Sequence, residues 1–517
     1  MKGTELYAAE FARTKPNEIA IVMAGSGETF TFQAYEQLAN QVAHLFREIG
    51  LKNRDTVALV LSNTPAYIFA KAAAERAGLR FVCINTHLQA DELEYIVTDA
   101  EASVVVCDAS TLESMRSLPE RCPDVQRWLV SGAPSDGPFE NYEQLLAGKP
   151  TEPIADERLG GGMLYSSGTT GRPKGIIRPI PDGDPQENLP VYQFTNTIFQ
   201  LTPDMTYLST APLYHSAPHS ALLGAVRLGA TSIVMEKFDA EEFLALVDKY
   251  KVTTTQVVPT MLNRIMRLPK ETRDKYDISS LTTVVHGAAP MPPQLKRQII
   301  EEWGPVPYEY YGATEGNGFC YSTSQEWLER PGTVGRAILG ELVIRDPEGN
   351  ELPPNQEGTI WFRGATNFTY KGDPDRTAEQ QSPDGTMSTV DDVGYVDEDG
   401  YLFLTDRKSH MIISGGVNIY PQEIEDLLAI HPDVQDVGVI GVPNPDFGEE
   451  VKAVVIRTPS DKPDEVLERE LIEYVRAHLA HFKAPRSVDF VEMLPRTPTG
   501  KLQKKLLRKQ YAEKSGS

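Results

Sequence analysis

Cysteine is scarce: there are four in 517 residues, at positions 83, 107, 122 and 320. They show no paired spacing of the metal-binding kind and are too few for a disulfide framework, so a reducing compartment such as the cytoplasm is expected. Positive charge is short as well, with 50 Lys and Arg against 73 Asp and Glu, a formal net charge of −23. Nucleic acid and anionic membranes are gripped by clustered cations, so neither is an expected partner. Long apolar runs are missing: no window approaches the roughly 18 unbroken apolar residues that span a bilayer. Residues 1–30 contain no basic stretch leading into an apolar one. Internal repeats and low-complexity tracts are also lacking. The chain reads as soluble and cytoplasmic, and any anionic ligand has to be held by a local arrangement of donors.

With 40% hydrophobic residues the chain can bury a large core and divide into more than one domain. Short β-branched runs at 56–62, 102–108, 231–236, 253–259 and 281–287 have the character of buried parallel strands. Amphipathic segments lie between them, such as 239–250, where Phe243, Leu244 and Val247 share one face. This predicts α/β architecture. From about residue 340, "RDPEGNEL" and "DEDGYLFL" signal hairpins and a small β-rich subdomain. Beyond "LTDRKSH", strands at 434–443, 451–457 and 487–493 and a helix over 464–482 predict a smaller, mobile α+β unit. The expected domains are 1–408 and 409–517. One long irregular insertion, "RPIPDGDPQENLP" (178–190), interrupts the first.

The stretch "YSSGTTGRPKG" (165–175) has the makings of an anion cradle. Glycines 168, 171 and 175 let backbone N–H groups turn inward, Ser166, Ser167, Thr169 and Thr170 add donors, and Lys174 adds a point charge. Lys174 stands three residues beyond Gly171 and is followed by Gly175, which is not Walker spacing. By composition alone, a solvated turn is the commoner reading.

Together with "YEYYGATEG" (308–316), "STVDDVGYVDEDGYL" (388–402), "TDRKSHMIISGGVNIYPQEIE" (405–425) and "PRTPTGKLQKKLL" (495–507), that stretch resembles the core motifs of the AMP-forming adenylating enzymes, in their acyl-CoA synthetase branch. The resemblance implies a ligase that activates a carboxylic acid with ATP to an acyl-adenylate plus pyrophosphate, then forms the acyl-CoA thioester plus AMP. Both partners of the first step are anionic, so catalysis rests on positioning and charge neutralisation.

It further implies that Ser166, Ser167, Gly168, Thr169, Thr170, Gly171 and Lys174 hold the β- and γ-phosphates. Mg²⁺ falls to Glu315 with Thr169, a hard cation on oxygen donors, and the α-phosphate to Thr314. Adenine is placed between Gly287, Ala288 and Ala289 and the ring of Tyr311, and ribose on Asp392 with Arg407. Lys501 is the lysine that swings in to bridge carboxylate and α-phosphate, whereas Lys504, Lys505 and Lys509 read as solvated charges. The hinge lies in "DRKS", where Ser409 replaces the usual Asp or Lys, and Ser414, Gly415 and Gly416 would approach the pantetheine arm of coenzyme A.

His215 in "PLYHSAPHS" (212–220) marks the acyl pocket, and stands where amino-acid-activating relatives carry an aspartate. An amino acid would leave its ammonium unpaired there. The insertion ending at 190 resembles that of a bacterial branch whose members activate fatty, aryl or steroid-derived side-chain acids, which implies a bulky hydrophobic monocarboxylate as the expected substrate. The chain ends soon after Lys501 without an appended carrier domain, which favours free coenzyme A as acceptor. Alternatives are a fatty acyl-AMP ligase that loads a carrier protein and a non-catalytic nucleotide-binding protein. A homodimer is a family expectation only.

Overall fold

A computed structural model describes residues 7–166, 173–180, 183–187, 190–365, 368–407, 410–415, 417–496 and 502–515. The chain is mixed α/β and forms two compact units. One comprises residues 1–257, 264–285 and 367–377, the other 258–263, 286–366 and 378–517.

In the first unit a six-stranded sheet runs in the order 139–141, 127–131, 102–108, 56–60, 80–83, 161–162, parallel throughout. The run at 102–108 forms the strand Ala102–Asp108 along its full length, as an unbroken β-branched segment buried on both faces should. A second parallel set joins 254–257, 206–209, 231–234 and 19–23. The helix Ala240–Tyr250 starts where Asp239 accepts the N–H groups of Glu241 (3.0 Å) and Glu242 (2.9 Å), and it buries Phe243, Leu244 and Val247. No described helix is long and apolar enough to cross a membrane.

In the second unit the strands 307–312, 319–322, 333–339, 402–407, 387–396, 358–363 and 341–345 form an antiparallel array. Both expected hairpin turns are present: Asp346–Asn350 follows one strand, and Asp397–Tyr401 joins Met387–Val396 to Leu402–Arg407. The C-terminal part pairs 434–444 with 448–457, to which 412–414 and 487–490 add. Its core is Ile412, Ile424, Leu428, Val439, Ala453, Leu467, Leu471 and neighbours. One boundary needs correction. The helix expected over 464–482 ends at His478, because Leu479 turns to extended backbone (φ −124°, ψ 167°) and a short 3-10 turn follows at His481–Lys483.

Candidate active site

The described site residues fall into clusters, each within one unit. In the first unit the strands Leu164–Ser166 and Lys174–Ile177 pair antiparallel, with Lys174 opposite Ser166 and Gly175 opposite Tyr165. They form the base of the glycine-rich loop. Ser167, Gly168, Thr169, Thr170 and Gly171 lie outside the described residues, and only the backbone of Ser166 is described. The side chain of Lys174 meets the carboxylate of Asp373, with the ring of Tyr370 5.7 Å away. Asp373 also accepts the N–H of Arg376 (3.0 Å) at the start of the next helix, and Lys174 holds its carboxyl below the usual range.

Asp373 therefore occupies the cation that the resemblance assigns to the terminal phosphates. Replacement by Asn keeps the helix cap and removes the competing charge. Asp373→Asn is expected to lower KM for ATP about fivefold and to tighten inhibition by pyrophosphate, measured as steady-state kinetics. A higher KM would make Asp373 a support for Lys174 instead.

His215 stands at the N-cap position of the helix Ser216–Arg227, without a capping bond from its side chain. Its ring lies 4.5 Å from that of Tyr214, and Nε2 is enclosed with no hydrogen-bond partner among the described residues. Burial pushes its pKa down to about 4, so the imidazole is neutral at pH 7. The loop before it is fixed by a residue that no motif announces. Asn63 donates to the carbonyls of Ala211 (3.1 Å) and Met235 (2.8 Å) and accepts the N–H of Leu213 (2.8 Å). Tyr67 adds bonds to the Leu213 carbonyl and to His219 Nδ1 (3.3 Å). Burial lowers the pKa of His219 as well. Because the folded value for His215 lies below the unfolded one, the stability it confers is complete above pH 6.5 and drains away as pH falls toward 4. Between pH 7 and 5 the parent should lose about 2 kcal/mol more than His215→Gln in chemical melts. The pH–rate profile should show no His215 inflection between pH 5 and 8.

In the second unit the turn Gly287–Ala289 lies against Tyr310. A side chain at 287 would come within 2.7 Å of that ring, and Ala288 adopts φ +67°, a conformation that costs a non-glycine residue about 1 kcal/mol or more. Tyr311 sits on the strand Pro307–Gly312, its ring stacked on Phe362 with centroids 6.4 Å apart, and its hydroxyl donates to Asp392 Oδ2 at 2.8 Å. Asp392 faces Arg407 in the register of their strands. The neighbouring Asp391 takes φ +63° and accepts from Gln380 Nε2 (3.0 Å), so the two acids are structurally distinct. Thr314 and Glu315 lie in the loop after Gly312, and Glu315 is buried. Ser414 and Gly415 form a hairpin tip with Val417 opposite Ser414, and the Gly415 N–H bonds to the Phe447 carbonyl at 2.8 Å. The side chain of Arg407, and Lys408, Ser409, Gly416 and Lys501, lie outside what the structure describes.

Two groups that sequence reading missed stand beside this cluster. Beneath the 287–289 turn, Lys296 Nζ donates to Glu309 Oε2 at 2.6 Å, and His286 Nε2 lies 3.8 Å from the same oxygen; Lys296 and His286 are fully buried. Lys504, expected in solvent, is a correction: it is 5% exposed and lies 3.0 Å from Glu425 Oε2. Burying that charge is tolerable only because carboxylates surround it.

Residues 8–370 match the family described as AMP-binding enzyme, and residues 423–501 match the AMP-binding enzyme C-terminal domain. The chain is 32% identical over 523 residues to feruloyl-CoA synthase from Amycolatopsis sp, covering 99% of each chain. It is 30% identical over 503 residues to 2-succinylbenzoate–CoA ligase of Bacillus licheniformis, covering 95% of this chain and 97% of that one. Among solved structures, ATP-bound MatB from Rhodopseudomonas palustris superposes with a TM-score of 0.80 at 29% identity, covering 98% of this chain and 99% of the other.

Proposed function

The chain belongs to the AMP-binding enzyme family and is an AMP-forming acid–thiol ligase of its CoA ligase branch; from that premise we propose that it activates a monocarboxylic acid with an uncharged, hydrophobic tail of fatty, aryl or steroid side-chain type. The carrying observation is the helix that begins after His215. From His215 to Gly224 it bears two neutral histidines, small residues and leucines, with no carboxylate or cation to pair a charged tail. The feruloyl-activating relative supports the aryl end of that range, whereas 2-succinylbenzoate, a dicarboxylic acid, lies outside it.

ATP binds with adenine at Gly287–Ala289 and Tyr311, ribose at Asp392 and Arg407, and its terminal phosphates at the loop ending in Lys174. Tyr311 does two jobs, since its hydroxyl fixes the Asp392 carboxylate that receives the ribose. The described residues contain no group of three or more acidic, His or Cys side chains able to cage a metal ion. One buried carboxylate, Glu315, suits Mg²⁺, which takes most of its ligands from phosphate and water and supplies charge neutralisation when bound. His215, being neutral, presents a dipole to the carboxylate without binding it as a salt. Residues 409–517 turn about 408–409 between the half-reactions, withdrawing Lys501 and bringing Ser414 to Gly416 to the thiol arm.

The test is ATP-dependent CoA consumption across fatty, aryl, steroid side-chain, amino and dicarboxylic acids, with AMP and pyrophosphate quantified. Turnover confined to the first three classes supports the proposal, and preference for a dicarboxylic or amino acid overturns it. AMP formed without CoA use would make it a carrier-loading enzyme.

A further inference from the structure

Asp406, the penultimate residue of the strand Leu402–Arg407, gathers the chain that follows residues 408–409. Its side chain is 4% exposed. Oδ1 meets His410 Nδ1 at 2.9 Å, Oδ2 accepts the backbone N–H of Gln422 at 3.3 Å, and Lys504 Nζ lies 3.6 Å from Oδ2. Lys504 is shared with Glu425, which also accepts the N–H of Val439 at 2.7 Å. One helical turn beyond Lys504, Arg508 donates to the carbonyls of His410 (3.0 Å) and Met411 (3.4 Å). A single buried carboxylate before the junction is thus met by three elements after it: the post-junction segment at His410, the start of the helix Pro421–Ala429, and the first residue of the helix Lys504–Ser515.

We propose that Asp406 and Lys504 form a latch that holds the C-terminal region on the strand Leu402–Arg407 and sets the balance between the two half-reactions. This rests on the proposed turning of residues 409–517. When that region turns, Lys504 and Glu425 travel together and stay paired, while Asp406 stays behind and loses Lys504 and Gln422. A buried carboxylate parted from its cation is costly unless water reaches it, so the contact favours one arrangement over the other. Lys504 follows Lys501 by three residues, at most about 11 Å of extended chain. Holding Lys504 therefore limits where the acting lysine can reach. Asp406 and Lys504 are positioning residues, since neither touches substrate.

Asp406→Asn keeps the shape and the hydrogen-bond acceptor but removes the charge. Lys504→Met removes the cation, and Lys504→Arg retains it. The four native cysteines are buried, so spin labels at Glu348→Cys and Arg469→Cys, both exposed positions, report the distance across the junction without substrate. The parent and Lys504→Arg should give the same narrow distribution, and Asp406→Asn a second population. In parallel, the ratio of pyrophosphate release to thioester formation from supplied acyl-adenylate should shift about tenfold, in the same direction for Asp406→Asn and Lys504→Met. Unchanged distances, or both half-reactions falling by one common factor, overturn the latch. Asp406→Asn decides if Lys504→Met does not fold. A parent that adenylates no acid refutes the proposed function and leaves the label distances to judge the latch.

Discussion

Lys501→Ala should slow acyl-adenylate formation about a thousandfold while conversion of supplied acyl-adenylate and CoA to thioester stays near the parental rate. The physical reason is charge. A carboxylate oxygen approaching the α-phosphorus brings an anion to a polyanion, and their repulsion grows as the distance closes toward the transition state. A cation between the two is worth more there than in the ground state, so its loss falls on the chemical step. Lys174, proposed to hold the departing end of ATP equally before and during reaction, differs: Lys174→Ala should raise KM for ATP more than it lowers kcat. Thiol attack at the carbonyl carbon of the adenylate expels AMP and no longer brings an anion up to the α-phosphate, so this step does not call on Lys501. Equal loss of both half-reactions in a quench-flow comparison would remove Lys501 from this role.

Lys296→Met should destabilise the protein by about 3–5 kcal/mol, because Glu309 would be left buried without its cation. Burial already lowers the pKa of Lys296 and raises that of Glu309, so each needs the other to stay charged. The double variant Lys296→Met/Glu309→Leu removes both charges and should recover most of the loss. Glu309 is two residues from Tyr311, and the helix Pro293–Trp303 that carries Lys296 follows the 287–289 turn. The single variant should therefore also raise KM for ATP. Denaturant melts of the four-member cycle measure the coupling, and a single-variant loss below about 1 kcal/mol would show that the pair is dispensable.

What the sequence made legible was local. The strand Ala102–Asp108 and the helix Ala240–Tyr250 follow from a β-branched run and an Asp cap that act within a few residues. The resemblance singles out Tyr311 and Asp392 separately, one toward adenine and one toward ribose; they are far apart in sequence, and the 2.8 Å bond between them is a product of the fold. The misreading of Lys504 has the same origin. A lysine in a basic C-terminal stretch looks solvated until Asp406 and Glu425, from two other segments, close over it. Lys296 with Glu309, and Asn63 with the 211–213 loop, were invisible for that reason: no periodicity or spacing encodes a buried pairing between segments that meet only after folding.

The central claim, that an acyl-adenylate lies on the path, is tested by following oxygen. With a turned-over acid labelled with ¹⁸O in its carboxylate, attack on the α-phosphorus followed by thiol displacement should leave one labelled oxygen in AMP and none in pyrophosphate. AMP free of label, or label recovered in inorganic phosphate, would contradict the account.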